Sequence, residues 1–187
     1  MESVKIIPEQ DYDKMKQIVE EYLPGTDDMT QYIEQFPSTI VGYYIHDELI
    51  GVCYGSEFSQ NEFSIDGIAI VRPYNGVGRG GKLISLFEQN VSLLGYKKIS
   101  VGSAGGYVEG FYMKNGYVPV ELKMYAKSSE WQDKSQDCLY PIAYTQKEGE
   151  RLKIVISVVD YDAMKKEEIE KYYNCEDAFF VFVKELE

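Results

Sequence analysis

The sequence predicts an α/β fold, and three observations carry that prediction. Stretches with apolar residues at helical spacing are interleaved with short β-branched and aromatic runs of strand length. Two of those runs are joined by a tight-turn signal, which marks antiparallel pairing. A glycine-rich segment at 75–82 joins a strong strand to a strong helix. At 187 residues the chain suits one ordinary domain, or one domain with a substantial appendage.

Val4 to Ile7 reads as a strand closed by Pro8. From Asp11, the residues Tyr12, Met15, Ile18, Val19 and Tyr22 follow helical spacing, and Pro24-Gly25 ends the run. Thr26 is placed to cap a second short helix carrying Met29, Tyr32, Ile33 and Phe36. The period then changes: Thr39 to Ile45 and Leu49 to Tyr54 are strands, with His46-Asp47-Glu48 as the hairpin turn. Phe63 to Val71 is a further strand, nearly continuous in Ile, Ala and Val towards its end. After the glycines, Leu83, Ile84, Phe87, Val91 and Leu94 mark an amphipathic helix stopped at Gly95. Lys98 to Val101 gives a strand, Val108 to Asn115 a short helix stopped at Gly116, and Tyr117 to Tyr125 a strand. Residues 128–150 are polar and read as a loop or a boundary. Beyond them, Leu152 to Val159 and Ala178 to Val183 read as strands around a charged helix from Asp162 to Tyr173. No internal repeat or low-complexity linker is evident.

Composition narrows the function classes. With 44% hydrophobic and 27% charged residues, a packed core is expected and wholesale disorder is not. No apolar run approaches the roughly 18 to 20 residues of a membrane helix, and the N-terminus lacks the pattern of a signal peptide. Cys53, Cys138 and Cys175 are odd in number and widely spaced, which argues against a disulfide framework; His46 is the single histidine, so a His-rich metal site is excluded. A cytoplasmic protein without a metal is the expectation. The charge of −12 is uneven: 12 acids and 3 bases in 1–60, 5 acids and 8 bases in 61–127, 14 acids and 8 bases in 128–187. No basic stripe exists to replace phosphate counterions, so neither nucleic acid nor a membrane is expected as a partner. The basic segment is also the glycine-rich one, which suits a small anionic cofactor. Acidity of this kind chiefly keeps a chain soluble; steering of a cationic substrate is the second reading.

The run Asn75-Gly76-Val77-Gly78-Arg79-Gly80-Gly81-Lys82 leaves its backbone N–H groups unshielded by side chains. Such a turn folds around an anion, and the helix that follows adds partial positive charge. Gly76, Gly78 and Gly81 satisfy G-x-G-x-x-G, but no acid stands at the next strand end, where the dinucleotide fingerprint requires one. Gly76, Gly81 and Lys82 satisfy G-x-x-x-x-G-K, yet Leu83 stands where a P-loop needs Ser or Thr for magnesium. Both folds also place this turn after the first strand, whereas here about four strands precede it.

Ile65-Asp66-Gly67-Ile68-Ala69-Ile70 followed by the glycine turn resembles motif A of the GNAT acetyltransferase superfamily, a strand followed by R/Q-x-x-G-x-G/A and a helix. Gly78 and Gly80 take the two glycine positions and Leu83 the usual helix leucine. Downstream, Phe111-Tyr112-Met113-Lys114-Asn115-Gly116-Tyr117 resembles the family's aromatic-Tyr-x-x-x-Gly-Phe segment. The resemblance covers about residues 4–126, and both motifs occur in order. Asn75 departs from the usual Arg or Gln, Arg72 stands where proline is common, and Gly105 stands where an Asn often contacts the cofactor.

The resemblance implies a mixed, mostly antiparallel sheet flanked by helices, with a core over 1–127 and a C-terminal α/β extension over 128–187, where Ala178 to Leu186 is a candidate final strand or the edge of a homodimer. It implies transfer of an acetyl group from acetyl-CoA to a primary amine by direct attack on the thioester. The N–H groups of Val77, Gly78, Arg79, Gly80 and Gly81, with the side chain of Asn75 and the backbone of Gly76, are implied to hold the pyrophosphate. Ile68 and Ile70 match the positions that pair with pantetheine, and the N–H of Ile70 would polarise the thioester oxygen. Tyr112 matches the general acid for the leaving thiolate, and Asp66 the carboxylate that activates the amine, often through water.

Each assignment has a plainer alternative. Ile68 and Ile70 are core strand residues, Tyr112 is one of 17 tyrosines, and Asp66 is a solvated carboxylate. Cys53 reads as a buried, inert thiol rather than a nucleophile, and His46 as a turn residue. Tyr22, Tyr32 and Phe36 lie in the helices that frame the acceptor pocket in this superfamily, with core packing as their default role. The competing function is a CoA-binding sensor or interaction module that has lost catalysis. The acceptor stays open between a small-molecule amine and a peptide.

Overall fold

Strand and helix periods in the sequence become nine strands and five α-helices among the described residues. The computed structural model describes residues 1–187 except 24, 26–27, 104, 106, 130, 132–141, 158–162 and 176, and describes only the backbone of 107 and 163–165. The expected cap at Thr26, the start of the last helix at Asp162, the strand end at Val159 and the thiol of Cys138 therefore lie outside the described residues. Two compact units divide the chain: Met1–Ser100 with Glu185–Glu187, and Val101–Lys184.

In the first unit the strand order is β1-β2-β3-β4-β5, with β1 Glu2–Ile6, β2 Val41–Ile45, β3 Glu48–Ser59, β4 Glu62–Ile70 and the first half of β5 (Lys98–Ser103), which leaves the unit after Ser100. Antiparallel ladders join β1 to β4, and the short β4–β5 ladder is parallel. The β2–β3 hairpin turns on His46 and Asp47, at φ 50° and 68°, the left-handed pair whose twist matches that of the flanking strands. His46 is a turn residue, as its place in the sequence suggested.

Helices cover both faces of this sheet. The stripe Met15, Ile18 and Val19 of α1 (Tyr12–Tyr22) packs with Tyr44, Leu49, Val52 and Tyr54, and Tyr32 and Ile33 of α2 (Thr30–Gln35) close the same cluster. On the opposite face α3 (Arg79–Leu93) buries Leu83, Ile84, Phe87 and Val91. There Phe87 meets the Phe63 ring at a centroid distance of 5.9 Å.

The second unit is antiparallel in the order β9-β6-β8-β7, with β6 Val118–Lys127, β7 Ile142–Glu148, β8 Arg151–Ser157 and β9 Asp177–Glu185. Its helices are α4 (Tyr107–Lys114) and α5 (Ala163–Tyr173). The stretch Ala178 to Leu186 supplies β9, which pairs with β6 from Val118–Val183 to Tyr125–Asp177. One expectation needs correcting: part of 128–150 is not a loop but β7. Its residues after Ile142 are exposed, and an edge strand with so little buried surface carries no apolar alternation to read.

Candidate functional site

The glycine turn in the first unit is built by backbone geometry. After β4 the chain makes a 3-10 turn at Arg72–Tyr74, stiffened by Pro73, and Asn75 is extended and exposed. Gly76 and Gly78 then take φ of 88° and 79°, a region that side-chain-bearing residues avoid. A Cβ at either glycine would find no atom within 4 Å, so open space lies beside the backbone. Gly78 is the N-cap of the 15-residue α3 and makes no side-chain capping bond. The first intrahelical bond runs from the Lys82 N–H to the Gly78 carbonyl at 3.3 Å. The N–H groups of Gly78, Arg79, Gly80 and Gly81 therefore stand at the positive end of the helix without intrahelical partners.

Arg79 contributes only its backbone to that group of donors. Its guanidinium donates to Glu2 Oε1 through Nε at 3.2 Å and Nη2 at 2.6 Å, and to the Tyr74 carbonyl through Nη1 at 2.9 Å. Glu2 also accepts from the Tyr43 hydroxyl at 2.6 Å. The Tyr43 hydroxyl first, and then Arg79, hold the Glu2 carboxyl down at about 2. This network ties the turn to β1 and β2.

Beside the turn, β4 has an open edge. The Val71 N–H donates to the Ile50 carbonyl at 2.8 Å, which sets the phase of the strand: Val71, Ala69 and Gly67 face β3, and Ile70 and Ile68 face away. On that far side, β5 pairs only with Glu62 to Ser64. Among the described residues the Ile68 and Ile70 N–H groups therefore have no ladder partner.

Asp66 owes its position to a β-bulge. The β3–β4 register slips between Tyr54–Gly67 and Gly55–Ile65, which leaves Asp66 as the extra residue. Its exposed carboxylate accepts from the Ser56 hydroxyl at 2.5 Å. Burial first, then the Asp66 charge, raises the Tyr32 phenol to about 12. Cys53 is fully buried, and burial pushes its thiol well above its usual range, so it is the inert cysteine expected. Burial likewise raises Cys175 to about 12. Tyr22 and Tyr32 are partly buried against the core, and Phe36 packs edge-on to Phe63 at 5.1 Å. Ser56, Tyr54 and Glu2 carry no motif; only pairing across strands reveals them.

Tyr112 belongs to the second unit. It lies on α4 at 4% exposure, its ring 5.3 Å from Phe111, 5.8 Å from Tyr117 and 6.1 Å from Phe182. Gly105 has φ 108°, which favours glycine there, and its N–H donates to Ser103 Oγ at 3.2 Å. The same unit holds a cavity of about 530 Å³, walled in part by Gly102, Tyr125, Arg151, Lys166 and Phe179. Arg151 pairs with Asp177 and lies 4.4 Å over the Tyr125 ring. The C-terminal residues thus supply charged walls that no sequence motif indicated. Among the described residues no group of His, Cys, Asp or Glu is arranged to hold a metal, and no helix is long and apolar enough to cross a membrane.

Comparison with known proteins follows the same lines. No curated protein matches the sequence. Among solved structures the chain resembles Ard1 from Thermoplasma volcanium, at TM-score 0.59 and 14% identity over 86% of this chain and 99% of that one. It resembles the IAA acetyltransferase from Bacillus cereus at TM-score 0.59 and 15% identity over 100% of both chains. A GNAT family acetyltransferase from Elizabethkingia anophelis, with acetyl-CoA bound, matches at TM-score 0.55 and 14% identity over 99% of this chain and 98% of that one. At these identities the likeness shows the fold, an α/β arrangement with mixed, mostly antiparallel pairing. The model of the acetyltransferase (GNAT) domain matches residues 6–133, well over half of the 187 residues, and the chain belongs to the GNAT acetyltransferase family.

Proposed function

We propose that the protein is an acetyl-CoA-dependent N-acetyltransferase that acts on a primary amine of a small molecule or peptide. The observation that carries this reading is the junction, in one unit, of an uncapped helix N-terminus with an open strand edge. The open space beside Gly76 and Gly78 fits a pyrophosphate approaching the backbone. Acetyl-CoA, as cosubstrate, supplies an acetyl group activated as a thioester.

The chain's residues then take these roles. The N–H groups of Val77, Gly78, Arg79, Gly80 and Gly81 bind the pyrophosphate, with the Asn75 side chain and the Gly76 backbone at the entrance. Ile68 and Ile70 extend their backbone to the pantetheine arm, and the Ile70 N–H polarises the thioester carbonyl, a contribution of about 3 to 4 kcal/mol to the barrier. Asp66 takes a proton from the amine, through water because its side chain is short. Tyr112 returns a proton to the thiolate; with reference pKa values near 10 for a phenol and 8.5 for a thiol, that transfer is mildly uphill. We take residues 1–127 as the acetyltransferase core and 128–187 as its extension.

Thiol release from acetyl-CoA with a panel of primary amines tests the reading. Turnover is expected with at least one amine, and Tyr112→Phe should lower kcat roughly 100-fold with acetyl-CoA affinity unchanged. Binding of acetyl-CoA without turnover of any amine supports the sensor instead, and an unchanged kcat removes Tyr112 from the mechanism.

A further inference from the structure

The geometry points to Glu2 as a positioning residue for cosubstrate binding, one that holds the Arg79 side chain as a strap across the glycine turn; the inference rests on the acetyltransferase reading. The turn itself has little to fix its shape. Among the described residues no backbone hydrogen bond engages Gly76 or Val77, and a Cβ on Gly76 or Gly78 would meet nothing within 4 Å. Glycine has more backbone freedom to lose than any other residue. A turn held only at its own peptide bonds would sample shapes in which its N–H groups do not converge on one anion, and ordering them would weaken binding.

The Arg79 side chain closes the turn. Its Nη1 donates to the Tyr74 carbonyl at 2.9 Å, so one guanidinium joins the residue before Asn75 to the first residue of α3. A long side chain keeps that pose only if its other donors are held. Glu2 Oε1 holds them, accepting from Nε at 3.2 Å and Nη2 at 2.6 Å, a charge-assisted fork. Glu2 is anchored in turn. It stands opposite Ile45 in the β1–β2 ladder, and the Tyr43 hydroxyl, two residues along the same face, donates to its Oε2 at 2.6 Å. The guanidinium lies 5.9 Å from each of the Tyr43 and Tyr74 ring centres. Lys82 Nζ, 3.8 Å from Oε2, is far more exposed than Arg79, at 63% against 18%, so the ordered contact is the arginine. Removing Glu2 would also free a cation beside the bound anion. At a solvent-exposed turn that attraction is screened, and the loss of a fixed set of donors outweighs it.

The β1–β2 ladder is made of backbone bonds, and Glu2 is exposed on it, so Glu2→Ala retains the fold. Calorimetry with the full chain is expected to show acetyl-CoA bound about tenfold more weakly by Glu2→Ala than by wild type. With any amine that wild type turns over, the KM for acetyl-CoA should rise by a similar factor while kcat stays within about twofold. Tyr43→Phe should give a smaller loss in the same direction. Arg79→Ala keeps its backbone N–H and should match Glu2→Ala, and the double variant should be no weaker than either, because Glu2 acts through Arg79. Without ligand, hydrogen exchange of the 76–81 amides should quicken several-fold in Glu2→Ala while the amides of β2, β3 and β4 are unmoved. Unchanged or tighter acetyl-CoA binding in Glu2→Ala, a further loss in the double variant, or exchange that quickens throughout the sheet overturns this role alone. A wild-type chain that does not bind acetyl-CoA overturns the acetyltransferase reading, and this role with it.

Discussion

Arg79 follows the second positive-φ glycine of the turn, yet its guanidinium is spent on Glu2 and the Tyr74 carbonyl. The consequence is a pH dependence. The Glu2 carboxyl ionises near 2 in the folded chain against 4.5 unperturbed, so its contribution to stability is complete above pH 4.5 and is lost as pH falls towards 2. Glu2 is partly exposed and solvent screens the pair, so the effect is modest. Thermal melts of wild type and Glu2→Gln between those two pH values should converge as pH falls; parallel curves would contradict the network. None of this was legible in the sequence, because Glu2 and Arg79 are 77 positions apart. The same holds for Asp66. The strand containing it reads clearly from Phe63 to Val71, but a one-residue bulge leaves no periodic trace, and the bulge decides which face the carboxylate takes.

Elements were legible wherever one face is buried and the other wet. The α3 stripe of Leu83, Ile84, Phe87 and Val91 was evident from spacing, and all four residues are buried in the fold. The fully buried Phe87 packs on Phe63, so Phe87→Ala removes a ring and leaves a cavity, at a cost of about 3 to 5 kcal/mol. Chemical denaturation measures it, and a loss below about 1 kcal/mol would show that α3 is not held through this contact. α3 also carries the uncapped N-terminus, so loosening it should weaken acetyl-CoA binding as well. β7 escaped notice for the opposite reason. With nearly every side chain exposed, it is specified by its pairing with β8 from Ile142–Ile156 to Glu148–Arg151, which is information held in a different segment.

For the molecule as a whole, the central claim is that the acidic chain carries its local positive balance over 61–127, the segment with the glycine turn proposed to bind an anionic cosubstrate. The family was legible because its motifs are constrained by backbone chemistry, glycines at positive φ and a helix start without a cap, rather than by side chains free to vary. The acceptor was not, since nothing in the order of residues says that Asp66 of β4 is met by the Ser56 hydroxyl of β3. Calorimetric titration of the full chain with acetyl-CoA and, separately, with ATP–magnesium tests the claim most directly. The account predicts saturable binding of acetyl-CoA, no binding of ATP–magnesium, and at least about tenfold weaker acetyl-CoA binding in a folded Gly80→Val variant, whose side chain obstructs the helix N-terminus. No binding of acetyl-CoA, or ATP–magnesium bound in its place, would contradict it.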